Sequence, residues 1–117
     1  VTLVANGTTP VVARAYPVAV STSVLMTATV TFRNTGTSAK NGKIVIQGLF
    51  RNTSAGTLAQ IGSTQTIGTD ILVGFTVTPA VDFFVDDAAD TVSVRVIGDG
   101  IANLRWVISV ERQTNIF

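Results

Sequence analysis

Asp82, Asp86, Asp87 and Asp90 crowd one short stretch of this chain. Hard carboxylate oxygens are what a calcium ion takes, several at a time from a flexible loop. Their spacing fits no EF-hand loop, and a turn whose aspartates bond nearby backbone amides accounts for the same residues. No metal site is expected. Acid-base cleavage of a glycoside would need two carboxylates about 5 to 10 Å apart, one of them kept protonated by burial, and nothing selects such a pair. Glu111 lies on the polar face of the last strand in alternation with Arg105, beside Arg112, where a cross-strand ion pair is the natural use. The chain has no histidine and no cysteine. That removes the commonest general base near neutral pH, any Ser-His-Asp arrangement, thiolate ligands and a disulfide framework. Lys40 and Lys43 flank a turn and form no Ser-x-x-Lys motif. The expectation is a protein without catalytic, cofactor-binding or metal-binding residues, and not an enzyme.

Arg14, Arg33, Arg51, Arg95, Arg105 and Arg112 are dispersed, about one per extended segment, so the basic patch of a nucleic-acid binder is missing. Their expected task is pairing with Asp and Glu across strands or across a subunit contact. Tyr16 and Trp106 are the two aromatics with polar handles. A sugar-binding module would expose several such rings, whereas Trp106 shares its face with Leu104 and Ile108 and is expected in the core. Asn6-Gly7-Thr8 and Asn52-Thr53-Ser54 are formal glycosylation sequons, of a kind that arises by chance in threonine-rich chains.

These residues must be positioned by strands. Val24 to Arg33 alternates apolar residues with threonine, sending Val24, Met26, Ala28, Val30 and Phe32 to one face, which is the pattern of a half-buried β-strand. Val1 to Ala5 reads as a short strand ended by an Asn6-Gly7 turn. Val11 to Val20 is extended, with Pro17 splitting it, bulging it or marking it as an edge. Asn34 to Gly42 is hairpin-loop chemistry around Lys40, and Lys43 to Phe50 is the partner strand. There Ile44, Ile46 and Phe50 share a face with Gly48, whose missing side chain leaves room for a bulge or an aromatic ring. Asn52 to Thr69 holds one or two short strands. Ile71 to Thr78 is predicted as a strand with Ile71, Val73, Phe75 and Val77 inward, stopped by Pro79. Val81 to Val85, Thr91 to Ile97 and Leu104 to Arg112 follow, with Gly98-Asp99-Gly100 turning the chain between the last two.

Seven to nine short strands with frequent turns, no helical period and no fixed repeat predict one all-β domain over residues 1–117. Its expected form is an antiparallel β-sandwich, jelly-roll or immunoglobulin-like. At 117 residues such a domain buries about two-thirds of the surface its unfolded chain exposes. Charged residues make up 13% of the chain and the net charge is +1, against about 25% charged residues in ordinary soluble domains. So little charge leaves apolar and threonine-rich surface to be covered by other subunits, and self-association is expected. Leu25, Val45, Leu49, Leu72, Ile97 and Val107 fall on the faces opposite the core and are the candidates for second-sheet or subunit contacts. The charge-free run from Ala15 to Phe32 contains Pro17 and a polar Ser21-Thr22-Ser23 patch and is no membrane span. Because the chain begins at Val1, either an initiator or leader was removed or the segment was excised from a longer chain.

Asp90-Thr91-Val92-Ser93-Val94-Arg95-Val96-Ile97-Gly98, followed by Leu104-Arg105-Trp106-Val107-Ile108-Ser109-Val110-Glu111, resembles the ends of small β-sandwich virion proteins of tailed bacteriophages. Many of those close with a Thr-Val-Ser-Val strand, a glycine-containing turn and a last strand bearing tryptophan. The resemblance implies a structural component located in the virion, such as a capsid decoration, head-fibre or tail-appendage protein. It implies a homotrimer in contact with the major capsid or a tail protein, with no nucleic acid, membrane or cofactor as partner. It carries over no functional residues. A carbohydrate- or receptor-binding module and a pilus or surface-layer subunit are the alternatives. Exposed Tyr16 or Trp106 would favour the first, and a terminal strand pairing into another chain the second.

Overall fold

A computed structural model of the chain describes residues 2–5, 7–36 and 39–117, with side chains described from residue 7 onward. Nine strands follow in order: β1 (Thr2–Ala5), β2 (Val11–Pro17), β3 (Thr22–Asn34), β4 (Asn41–Asn52), β5 (Leu58–Thr66), β6 (Ile71–Val73), β7 (Ala80–Asp86), β8 (Thr91–Ile97) and β9 (Leu104–Ile116). They form two antiparallel sheets packed as a sandwich. The larger has the order β1-β9-β3-β4-β5, with β6 sharing the far edge of β4, and the smaller has the order β2-β8-β7. Of the two orders expected, the immunoglobulin one, A-B-E-D over C-F-G, is not seen. The chain instead changes sheet from β1 to β2, β2 to β3, β6 to β7 and β8 to β9.

The centre is the stretch whose alternation is cleanest. Val24, Met26, Ala28, Val30 and Phe32 are all buried on the inner face of β3, which pairs over its full length with β9 and over nearly all of it with β4. From the opposite sheet Val92, Val94 and Val96 of β8 meet them. Trp106 packs on Phe32 with ring centroids 4.5 Å apart, and Phe75 adds a third ring at 5.5 Å. Space for these rings comes from glycines. A Cβ on Gly42 would collide with the Phe32 ring, and one on Gly48 would sit 2.8 Å from the ring of Phe50 and 3.1 Å from that of Phe83. Gly48 thus makes both allowances the sequence suggested, since the β4–β5 register also shifts between Gln47 and Leu49.

Pro17 ends β2 at the edge of the small sheet, opposite Thr91, and the bulge in that strand falls earlier, between Val12 and Arg14. Polar stretches are longer strands than their composition suggests. β5 is one strand of nine residues, and β9 continues four residues past Arg112 to Ile116. The prediction for Ile71 to Thr78 needs correcting. Only Ile71–Val73 is strand, and Ile71, Val73 and Val77 face solvent while Leu72 and Phe75 turn toward the core. The cause is Gly74, at φ +85° against the backbone of Ala39. A left-handed residue breaks the alternation and swings Phe75 inward. Asn6 and Ser38, which the predicted turns invoke, lie outside the described residues.

Candidate functional site

The clustered aspartates serve the scaffold. Asp82 faces Arg95 across β7 and β8 and takes two hydrogen bonds from it, from Nε at 2.8 Å and from Nη2 at 2.7 Å. That is the cross-strand pairing predicted for the arginines, and the guanidinium also lies over the Phe84 ring at 4.8 Å. The Asp82 carboxylate raises the Arg95 guanidinium above its ordinary value, although partial burial opposes it. Asp86 Oδ1 accepts the Ala89 amide at 3.1 Å, closing its own turn, and Asp87 Oδ1 accepts the Leu58 amide at 2.7 Å, tying that turn to the start of β5. Asp90 adopts φ +54° and its carbonyl accepts the Val18 amide. Among the described residues no three such side chains converge in a way that could hold a metal.

Glu111 does not form the expected ion pair. It stands opposite Thr27, on the outer face of the large sheet, with no ionic partner among the described residues. A different pair escaped sequence reasoning because its members are 59 residues apart. Asp99, in the turn after β8, is buried and receives Lys40 Nζ at 2.6 Å together with the amides of Ile101 and Ala102 at 3.0 and 3.1 Å. Burial pushes its carboxyl up, but the lysine and the two amides outweigh it and hold the group below the usual carboxylate range. The one legible sign was the Gly98-Asp99-Gly100 turn, whose aspartate does cap the following amides.

Trp106 is fully buried and Tyr16 nearly so. Neither is available as a stacking platform for sugar. Tyr16 instead has two guanidiniums near its ring, those of Arg14 at 5.2 Å and Arg112 at 5.1 Å. Asn52, the acceptor of one sequon, is also fully buried and donates from Nδ2 to the Val18 carbonyl at 2.8 Å, so that triplet is a structural device. The other sequon begins at Asn6, outside the described residues.

The outer face of the large sheet carries Leu25 opposite Leu49, which in turn lies opposite Ile61, while Val107 lies opposite Thr31. Of the six candidate contact residues, Leu49 and Val107 are exposed, Leu25, Val45 and Ile97 are half-buried, and Leu72 belongs with the monomer core. Thr27, Thr29 and Thr31 run down the middle of that face. Shallow depressions of about 390 Å³ and 230 Å³ lie on it, the first bordered by Thr31, Arg33, Arg105 and Val107, the second by Leu25, Leu49, Ile61 and Gln65. Among the described residues no helix is long and apolar enough to cross a membrane. No protein-family model, no curated protein and no solved structure matches this chain.

Proposed function

We propose that this chain is a non-enzymatic structural component of a bacteriophage virion, a decoration, head-fibre or tail-associated protein. It works by self-association and by contact with a neighbouring capsid or tail protein. The observation that carries the reading is the outer face of the large sheet, where Leu49, Ile61 and Val107 stand exposed among threonines. Exposed apolar residues on a sheet face, bordered by Arg33, Lys43, Arg51, Arg105 and Glu111, make a surface suited to being covered. The resemblance of Thr91 to Gly98 and Leu104 to Glu111 to phage virion proteins supplies the setting and the expected number of three copies. The burial of both Tyr16 and Trp106 supports it over a sugar-binding role.

Light scattering on the purified chain tests self-association, with a mass of several copies expected at micromolar concentration. Leu49→Glu should dissociate that assembly, because it places an unpaired carboxylate inside the contact. Unchanged mass in the Leu49→Glu variant would count against this face. A monodisperse wild-type monomer that also fails to bind purified particles would overturn the reading.

A further inference from the structure

Strand β9 is paired along both edges only at its beginning. β1 covers Leu104 to Val107, whereas β3 runs along the other edge from Leu104 to Ile116. The direction of each backbone group beyond Val107 follows from two hydrogen bonds that extend the ladders. The Phe117 amide donates to the Ser21 carbonyl at 3.0 Å, continuing the β3–β9 register, and the Asn34 amide donates to the Lys40 carbonyl at 3.2 Å, continuing the β3–β4 register. Since successive residues of a strand aim their N–H and C=O to opposite sides, the odd-numbered residues of β9 bond to β3 and the even-numbered ones point away from it. Val110, Arg112, Thr114 and Ile116 therefore hold four N–H and four C=O groups outward, with no ladder partner among the described residues.

Such an edge is a template for a further strand, and sheet proteins ordinarily blunt it with proline, a bulge or an inward-pointing charge. This stretch has no proline, and its register with β3 has no shift. Its inward charge, Arg112, is drawn across to the Tyr16 ring of the other sheet, leaving the edge open.

We propose that a second copy of this chain occupies the edge, β9 against β9, antiparallel about a two-fold axis at Gln113. The charges select that register. Pairing centred on Glu111 would oppose two carboxylates, and pairing centred on Arg112 two guanidiniums, both destabilising. Centring on Thr114 would set the Arg112 guanidinium against Ile116. Centred on Gln113, Arg112 meets Thr114, Glu111 meets Asn115, and Val110 meets Ile116 of the other copy. All four outward residues then bond across the axis. Ile116, exposed at 79%, gains an apolar neighbour. The contact is isologous, as a closed dimer requires, and both outer faces continue into one surface. It stands on the backbone pattern and is independent of the virion reading.

The chain contains no cysteine, so single cysteines report the contact cleanly. Residues opposite each other at Gln113 form a non-hydrogen-bonded pair with Cα atoms about 4.5 Å apart, within disulfide range. Gln113→Cys should become a disulfide-linked dimer under mild oxidation at micromolar protein, reversibly with reductant, while Asn115→Cys, which faces Glu111 of the other copy, stays unlinked. Thr114→Pro removes an outward amide that the monomer does not use, and in the Leu49→Glu background, where the outer-face contact is already lost, it should reduce the mass from two chains to one. No link at Gln113→Cys in a protein with wild-type circular dichroism would overturn the proposal, as would equal linking at both positions. Leu49→Glu should leave the Gln113→Cys link intact. Loss of the link in that combination would overturn the edge contact in favour of the outer face.

Discussion

The first half of β9, Leu104 to Ile108, and the second, Val110 to Ile116, alternate in the same way and pair with the same strand, yet they live in different solvents. Leu104, Trp106 and Ile108 are buried, whereas Val110 is half-buried and Arg112, Thr114 and Ile116 are exposed. The surroundings differ. β1 flanks only the first half, and β2, which roofs the Arg112 region through Tyr16, ends at Pro17. Alternation assigns each residue a side of the sheet. Whether that side is covered depends on the length of other strands, and the small sheet is built of seven-residue strands against thirteen in β3 and β9.

The sharpest way to break this comparison is to truncate one inward side chain in each half. Trp106→Ala removes a fully buried ring that packs on Phe32, and it should cost about 3 to 5 kcal/mol in denaturant unfolding, as large aromatic truncations in cores do. Ile116→Ala, measured as the dissociated chain, should stay within about 0.5 kcal/mol of wild type. Equal losses would mean that the second half is covered within the monomer. A gentler probe of the first half is overpacking. Gly42→Ala drives a methyl group into the Phe32 ring, which is itself held by Trp106 and Phe75, and should cost about 1 to 3 kcal/mol by the same assay.

A third prediction follows from Asp99 at the covered end of the sandwich. Its carboxyl ionises more readily folded than unfolded. The bonded carboxylate therefore contributes stability that is fully present above the ordinary value near 4. That contribution is lost as pH falls through the lowered folded value. Asp99→Asn, which keeps an acceptor for the Ile101 amide but loses the charge facing Lys40, should cost about 2 kcal/mol at pH 7. The gap to wild type should narrow as the pH is taken below about 4. A gap that stayed constant from pH 7 to pH 2 would show that the charge is not what Lys40 holds.

How much of this was legible follows the same division. The sandwich, the inner face of β3, the Val92-Val94-Val96 set and the placement of Trp106 could be read because each rests on alternation within one strand. Ile71 to Thr78 was misread because left-handed Gly74 breaks the alternation between Leu72 and Phe75, so the inward side of Phe75 does not carry back to Ile71 and Val73, and Gly74 looks like any other glycine in the sequence. β5 was faint because its residues past Gln60 are all exposed, so burial never imposed a pattern on them. The Lys40–Asp99 pair and the open edge of β9 were invisible for a different reason. One joins two loops far apart in the chain, and the other is a property of where a neighbouring strand stops.

The smallest effect expected is at Asp82 and Arg95, and it sets the exposed ion pair against the buried one. Both side chains are partly open to solvent, at 38% and 26%. Bulk water therefore screens their attraction, and two flexible side chains must be ordered to make it. The bidentate geometry works in the other direction, since both guanidinium donors meet both carboxylate oxygens without distortion. A double-mutant cycle with Asp82→Ala and Arg95→Ala should return a coupling of about 0.5 kcal/mol, and most of it should vanish in about 1 M salt, where the Debye length falls to about 3 Å. Arg95→Ala alone should cost somewhat more than the coupling, because the same guanidinium covers the Phe84 ring. The corresponding cycle at Lys40 and Asp99, where the carboxylate has no exposed surface, should keep most of its coupling in the same salt. If the two cycles lost coupling equally, burial would not be what distinguishes the covered end of this sandwich from its open faces.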